Sequence, residues 1–88
     1  MTCEEAAKLI EAEGRLGAGQ LFAPNGDRCA SAVIANAKPS WWDSTQLSAV
    51  RIKGIASGEI DRINDAFEGT PEERCTYMAA WFRSGGKA

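Results

Sequence analysis

The run Thr70-Pro71-Glu72-Glu73 fixes where the last helix of this chain begins. A threonine just ahead of a helix accepts a hydrogen bond from a free backbone amide, and a glutamate three residues later accepts one from the threonine's own amide. Proline fits the first turn, where its missing N–H costs nothing. The two acids also lie at the positive end of the helix dipole. Cys75, Met78, Ala79 and Phe82 then recur as an inward stripe, with Tyr77 and Trp81 as a second, offset row four residues apart. Gly85-Gly86 ends the helix.

The same logic applies upstream. Thr2 and Glu5 form a capping box, and Cys3, Ala6, Ala7 and Ile10 follow helical spacing up to Gly14, so a first helix is expected over about 3–13. Asp27 is expected to cap a second helix over about 28–37, apolar on most sides through Cys29, Ala30, Ala32, Val33, Ile34, Ala35 and Ala37. A helix apolar nearly all round belongs inside a fold, so this one is expected to be central. Pro39 ends it. Asp43 or Ser44 then caps a third helix with a broad apolar face (Leu47, Ala49, Val50, Ile52, Ala56), weakened by Gly54 and broken near Ser57-Gly58. Ile60, Ile63 and Phe67 carry a short helix over about 59–66, closed by Gly69.

The connections are read from their turn residues. Gly14 to Gly19 is glycine-rich but lacks the Lys-Ser/Thr ending and the preceding strand of a phosphate-binding loop, so it reads as a connector. Pro24-Asn25-Gly26-Asp27 is a strong turn signal and predicts a short hairpin or tight reversal near residues 20–28. With 88 residues, 44% of them hydrophobic and 25% charged, the expectation is one all-α domain of four to five short helices over 1–86, with 87–88 as a tail.

Two segments resemble a known family. Gly26-Asp27-Arg28-Cys29-Ala30-Ser31-Ala32 and Ile63-Asn64-Asp65 followed by Thr70-Pro71-Glu72-Glu73 are similar to motifs of the DUF6197-type group, small uncharacterised proteins of actinobacteria and their bacteriophages. Members carry a Gly-Arg-x-Cys-Ala-x-Gly-Ala-like helix start and a Trp-Asn-Asp segment leading to Thr-x-Glu-Glu-Val. Here Asp27 is inserted, Ser31 stands in place of Gly, Ile63 in place of Trp and Arg74 in place of Val. The resemblance implies a helical fold and a phage or actinobacterial origin, and no activity. Apart from it, Asn64-Asp65 at a helix end reads as a pair that bonds free backbone groups and fixes the turn into the last helix.

The chemistry-bearing residues exclude more than they suggest. There is no histidine, hence no Ser-His-Asp or Cys-His arrangement and no usual zinc hydrolase site. Cys3, Cys29 and Cys75 are odd in number and widely spaced, and read as small reduced hydrophobes. Asp61 and Asp65 share a helix face at a spacing that suits a cation, but the sequence favours a solvated face. No metal, no cofactor and no enzymatic activity are expected. The net charge is −2, with the ten basic residues spread evenly, and Arg51 and Lys53 fall about 200° apart on a helix. This disfavours nucleic acid. No apolar run reaches the length of a membrane span and no secretion signal opens the chain, so a soluble, cytoplasmic protein is expected.

The sharpest functional lead is Lys38-Pro39-Ser40-Trp41-Trp42-Asp43-Ser44, two adjacent indoles in a stretch with the marks of a loop. Exposed aromatic anchors dominate binding at protein interfaces. The expectation is a protein-binding module, phage-encoded and directed at a host growth or division protein. Its contacts are Trp41 and Trp42 with Lys38 and Asp43 as rim, and Tyr77 and Trp81 as a second patch. The alternatives are a homodimer that buries these aromatics against a second copy, and a helix–turn–helix nucleic-acid regulator.

Overall fold

A computed structural model describes residues 1–37, 52, 54–56 and 58–86, and among them the chain is all-α. The helices are α1 (Cys3–Glu13), α2 (Ala30–Ala35), α3 (Glu59–Ala66) and α4 (Pro71–Arg83). None of them is long and apolar enough to cross a membrane. Both capping boxes form. Thr2 Oγ1 accepts from the Glu5 amide while Glu5 Oε1 accepts from the Thr2 amide, and Thr70 and Glu73 repeat the pattern. α1 stops at Gly14, whose φ of +85° is a left-handed conformation that glycine adopts without steric cost.

α1 packs mainly against α4. Ala6, Ala7 and Ile10 on α1 meet the α4 stripe of Cys75, Met78, Ala79 and Phe82, all buried, in one core that also takes in Leu16, Val33, Ile34, Ile52, Ile60 and Ile63. The two helices are also tied at the surface. Arg83 reaches back to Glu11 through Nη1 and Nη2 (2.6 and 2.7 Å) and to Glu4 through Nε (3.1 Å).

The second helix differs from expectation. α2 is six residues long, and Cys29 occupies its N-cap with no side-chain bond. Asp27 does not cap it, because its carboxylate is committed elsewhere: Oδ1 accepts from Arg15 Nε (2.9 Å) and Oδ2 from Asn25 Nδ2 (3.0 Å). α2 is buried on nearly every side, as its composition requires, and touches α1 and α3; the principal helix pair, however, is α1 with α4. Arg28 holds it in place, binding Glu13 at the end of α1 (2.6 and 3.0 Å) and the Ala37 carbonyl beyond α2 (3.1 Å).

Residues 20–28 make the tight reversal as a single antiparallel bridge between Phe22 and Arg28. Ala23 N donates to Asp27 O (2.8 Å), and Gly26 N to Ala23 O (2.9 Å). Gly17 lies so close beneath this turn that a Cβ there would meet Ala23 Cβ at 3.1 Å and Asp27 O at 3.2 Å. The expected third helix falls largely outside the described residues; of its members, Ile52 and residues 54–56 lie in no helix.

The interior carries two polar side chains that organise the fold. Asn64, on α3 and fully buried, accepts from Ala30 N at the start of α2 (3.3 Å) and donates to Gly17 O (2.9 Å) and Asp65 Oδ1 (3.0 Å). Arg74 on α4 donates to Asn64 O (3.0 Å), Phe67 O (2.8 Å) and Leu16 O (3.4 Å). The Asn64 carbonyl is one of the orphan acceptors at the C-terminal end of α3, and Phe67 is the C-cap. The guanidinium therefore satisfies that end and sits at the negative pole of its dipole.

Two outcomes follow. Replacing Asn64 with Ala strands a buried carbonyl and a buried amide, so Asn64→Ala lowers unfolding free energy by about 2–4 kcal/mol in urea titration. The second concerns acid. The Arg83 guanidinium beside Glu11 holds that carboxyl below its ordinary value of 4.5, and Thr2 and Thr70 do the same for Glu5 and Glu73. A depressed carboxyl gives stability that is present above its unfolded pKa and lost as pH falls through the folded one. Thermal midpoints therefore fall as pH drops below about 4.5, and Arg83→Gln makes that decline shallower.

Candidate aromatic interface and its surroundings

α4 divides its side chains between two uses. Cys75, Met78, Ala79 and Phe82 face the core, and Tyr77, one residue off that stripe, points outward with 37% of its surface exposed. Its ring stacks on Phe67 at a centroid distance of 4.7 Å and an interplanar angle of 28°. Phe67 sits at the C-cap of α3, where extended backbone carries its ring to the start of α4. The Arg74 guanidinium lies 5.7 Å from the Phe67 centroid, within cation–π range. A half-exposed aromatic pair thus marks the α3–α4 corner, with a buried cation beside it.

Trp81 is not part of that surface, which corrects the expectation of a Tyr77/Trp81 patch. It is 4% exposed and meets Phe82 edge-on at 5.1 Å. Although it shares a helix row with Tyr77, the row passes under other chain one turn later. A Cβ on Gly86 would lie 2.7 Å from Ile55 and 3.5 Å from Trp81, so these three residues close over one another. Trp81 Nε1 is buried and has no acceptor among the described residues. Leaving such a donor unpaired costs about 1–3 kcal/mol. Burying an indole of ~200 Å² contributes about 5 kcal/mol, so packing wins. Lys38, Trp41, Trp42 and Asp43 lie outside the described residues.

Asp61 and Asp65 line a shallow cleft of about 220 Å³ with Gly19, Gln20, Leu21 and Cys29. Their oxygens serve the fold. Asp61 Oδ1 accepts from Ser31 Oγ (2.5 Å), tying α3 to α2, and Asp65 Oδ1 accepts from Gly19 N (3.0 Å) and from Asn64. Asn64-Asp65 does bond backbone groups, but these lie 34 residues away at the start of α2 and 46 and 47 residues away in the Gly14–Gly19 connector, and Arg74 fixes the turn into α4 instead. Among the described residues, no three Cys, Asp or Glu side chains gather as metal ligands.

The two buried thiols are held protonated. Burial pushes Cys29 up, and the nearby Asp61 and Asp65 add to this against the backbone amides of Ala32 and Ser31. Burial likewise raises Cys75, whose Sγ donates to Ile10 O (3.1 Å). A thiolate is the reactive form, so both are poor nucleophiles in the folded protein.

The sequence did not mark Phe67 as a surface partner, since it falls with Ile60 and Ile63 among the apolar residues that carry the short helix. Its position just before Glu68-Gly69 was the available signal, since a residue at the helix end escapes the helical stripe. Comparison of the chain with protein-family models, with curated proteins and with solved structures finds no match in any of the three.

The thiol environment gives a direct expectation. With a disulfide-exchange reagent at pH 8, native protein reacts rapidly at the half-buried Cys3 alone, and Cys29 and Cys75 react only after denaturant is added. Cys3→Ser then removes the fast phase.

Proposed function

We propose that the protein is a small non-enzymatic module that binds another protein through aromatic side chains. The observation that carries this reading is the Phe67–Tyr77 pair: a stacked aromatic surface at the α3–α4 corner, on a helix whose other large apolar side chains are spent on the core. Tyr and Trp are the residues most enriched where proteins bind one another, because each supplies a large contact at low entropic cost. Trp41 and Trp42, flanked by Lys38 and Asp43, are the second element of the proposed surface.

The polar groups support the same reading. The buried cysteines are protonated, and Asp61, Asp65, Asn64 and Arg74 hold chain segments together. These groups are engaged in structure rather than poised for chemistry. The resemblance to small actinobacterial and phage proteins leads us to propose a bacterial host protein as the target.

Affinity capture from bacterial lysate tests the proposal. Immobilised wild type retains a defined partner, and Tyr77→Ala and Trp41→Ala/Trp42→Ala each lower recovery by about tenfold while their circular dichroism is unchanged. Equal recovery of the same proteins by all three folded forms overturns it.

A further inference from the structure

We infer that the partner element received by Phe67 and Tyr77 is cationic, a protein segment bearing Arg or Lys; this rests on the binding-module reading above. Two carboxylates flank the rings: Glu68 follows Phe67 in sequence and Glu73 comes against its ring, whereas Asp61 and Asp65 belong to the cleft with Gly19 and Cys29. Glu59 is neutralised by Arg62 (2.7 Å), and Glu72 lies 3.2 Å from Arg15. Glu68, next to Phe67, is exposed and has no ion-pair partner among the described residues.

Glu73 stands one helical turn before Tyr77, on the same face of α4. Its carboxylate and the Phe67 ring lie side by side: a Cβ on Gly69 would be 2.7 Å from Phe67 Cε2 and 3.1 Å from Glu73 Oε1. The exposed Tyr77 ring on a half-buried Phe67, flanked by carboxylates, presents an electron-rich face and negative charge to the same visitor, the combination that holds ammonium and guanidinium groups. Phe67 already takes one such contact, from Arg74 beneath it. That guanidinium bonds three neutral carbonyls and keeps its charge, so it offsets part of the field of Glu68 and Glu73 from the buried side and leaves the outer side of the pair to the carboxylates. A nucleic acid or an acidic peptide meets repulsion here, and a purely apolar segment must strip water from carboxylates without replacing it.

The test uses two capped octapeptides, alternating arginine–glycine and alternating glutamate–glycine, titrated into the isotopically labelled full chain and followed by amide shifts. The arginine peptide moves amides around 67–77 saturably and less at high salt. Its affinity falls about fivefold on Tyr77→Ala, and similarly on Glu68→Gln/Glu73→Gln, in which glutamine keeps the capping bond while the charge is lost. An equal response to the glutamate peptide, or arginine binding unchanged in both variants, overturns the inference. If the peptide result fails while lysate capture still depends on Tyr77 and the tryptophans, the cationic assignment falls and the binding-module reading stands. If capture fails while the peptide result holds, the cationic surface stands and the target assignment falls.

Discussion

One buried carboxamide joins parts of the chain that sequence separates by more than thirty residues. Asn64 on α3 accepts from the first amide of α2, donates to the connector after α1, and lends its own backbone carbonyl to Arg74 on α4. Each bond contributes only about 1 kcal/mol net, but leaving its partners unpaired in the interior costs more. A packing in which α3 slides or rotates therefore forfeits several bonds at once. In a chain of this size, where apolar burial alone leaves a thin margin, that asymmetry helps to select one arrangement of the four helices among the described residues.

The surface follows from the same arrangement. Because Arg74 draws the end of α3 against the start of α4, Phe67 is brought under Tyr77, and the aromatic pair exists only when that corner closes. α4 can turn Tyr77 outward because Ala6, Ala7 and Ile10 of α1 share the core with its other stripe, Cys75, Met78, Ala79 and Phe82. Fold and proposed binding surface are thus two consequences of one polar centre.

The helix ends were the most legible part of the sequence. Thr2 with Glu5, Thr70 with Glu73, and the glycines at 14 and 58 act within one turn, so their effect can be read locally. The inward stripe of α4 was legible for the same reason, since helical period alone defines it. Asp27 failed as a cap because distant Arg15 and neighbouring Asn25 claim its carboxylate. Arg74 was passed over because an arginine in the first turn of a helix ordinarily faces water, and only the placement of α3 and of the connector after α1 offers it three carbonyls. Trp81 was misassigned to the surface because helical period says nothing about the chain near Ile55 and Gly86 that covers it. What sequence left unread was decided in good part by partners beyond one helical turn, such as Arg15 for Asp27, Leu16 for Arg74 and Ile55 for Trp81.

The most direct measurement is hydrogen exchange at the side chains themselves, on the Asn64 carboxamide and the Arg74 guanidinium N–H, compared with the central amides of α4. If these two groups form the centre that closes the fold, their protons exchange only with global unfolding, at the rate of the slowest α4 amides and with the same dependence on denaturant. Exchange as fast as that of an exposed asparagine or arginine, while the α4 amides stay protected, contradicts the account.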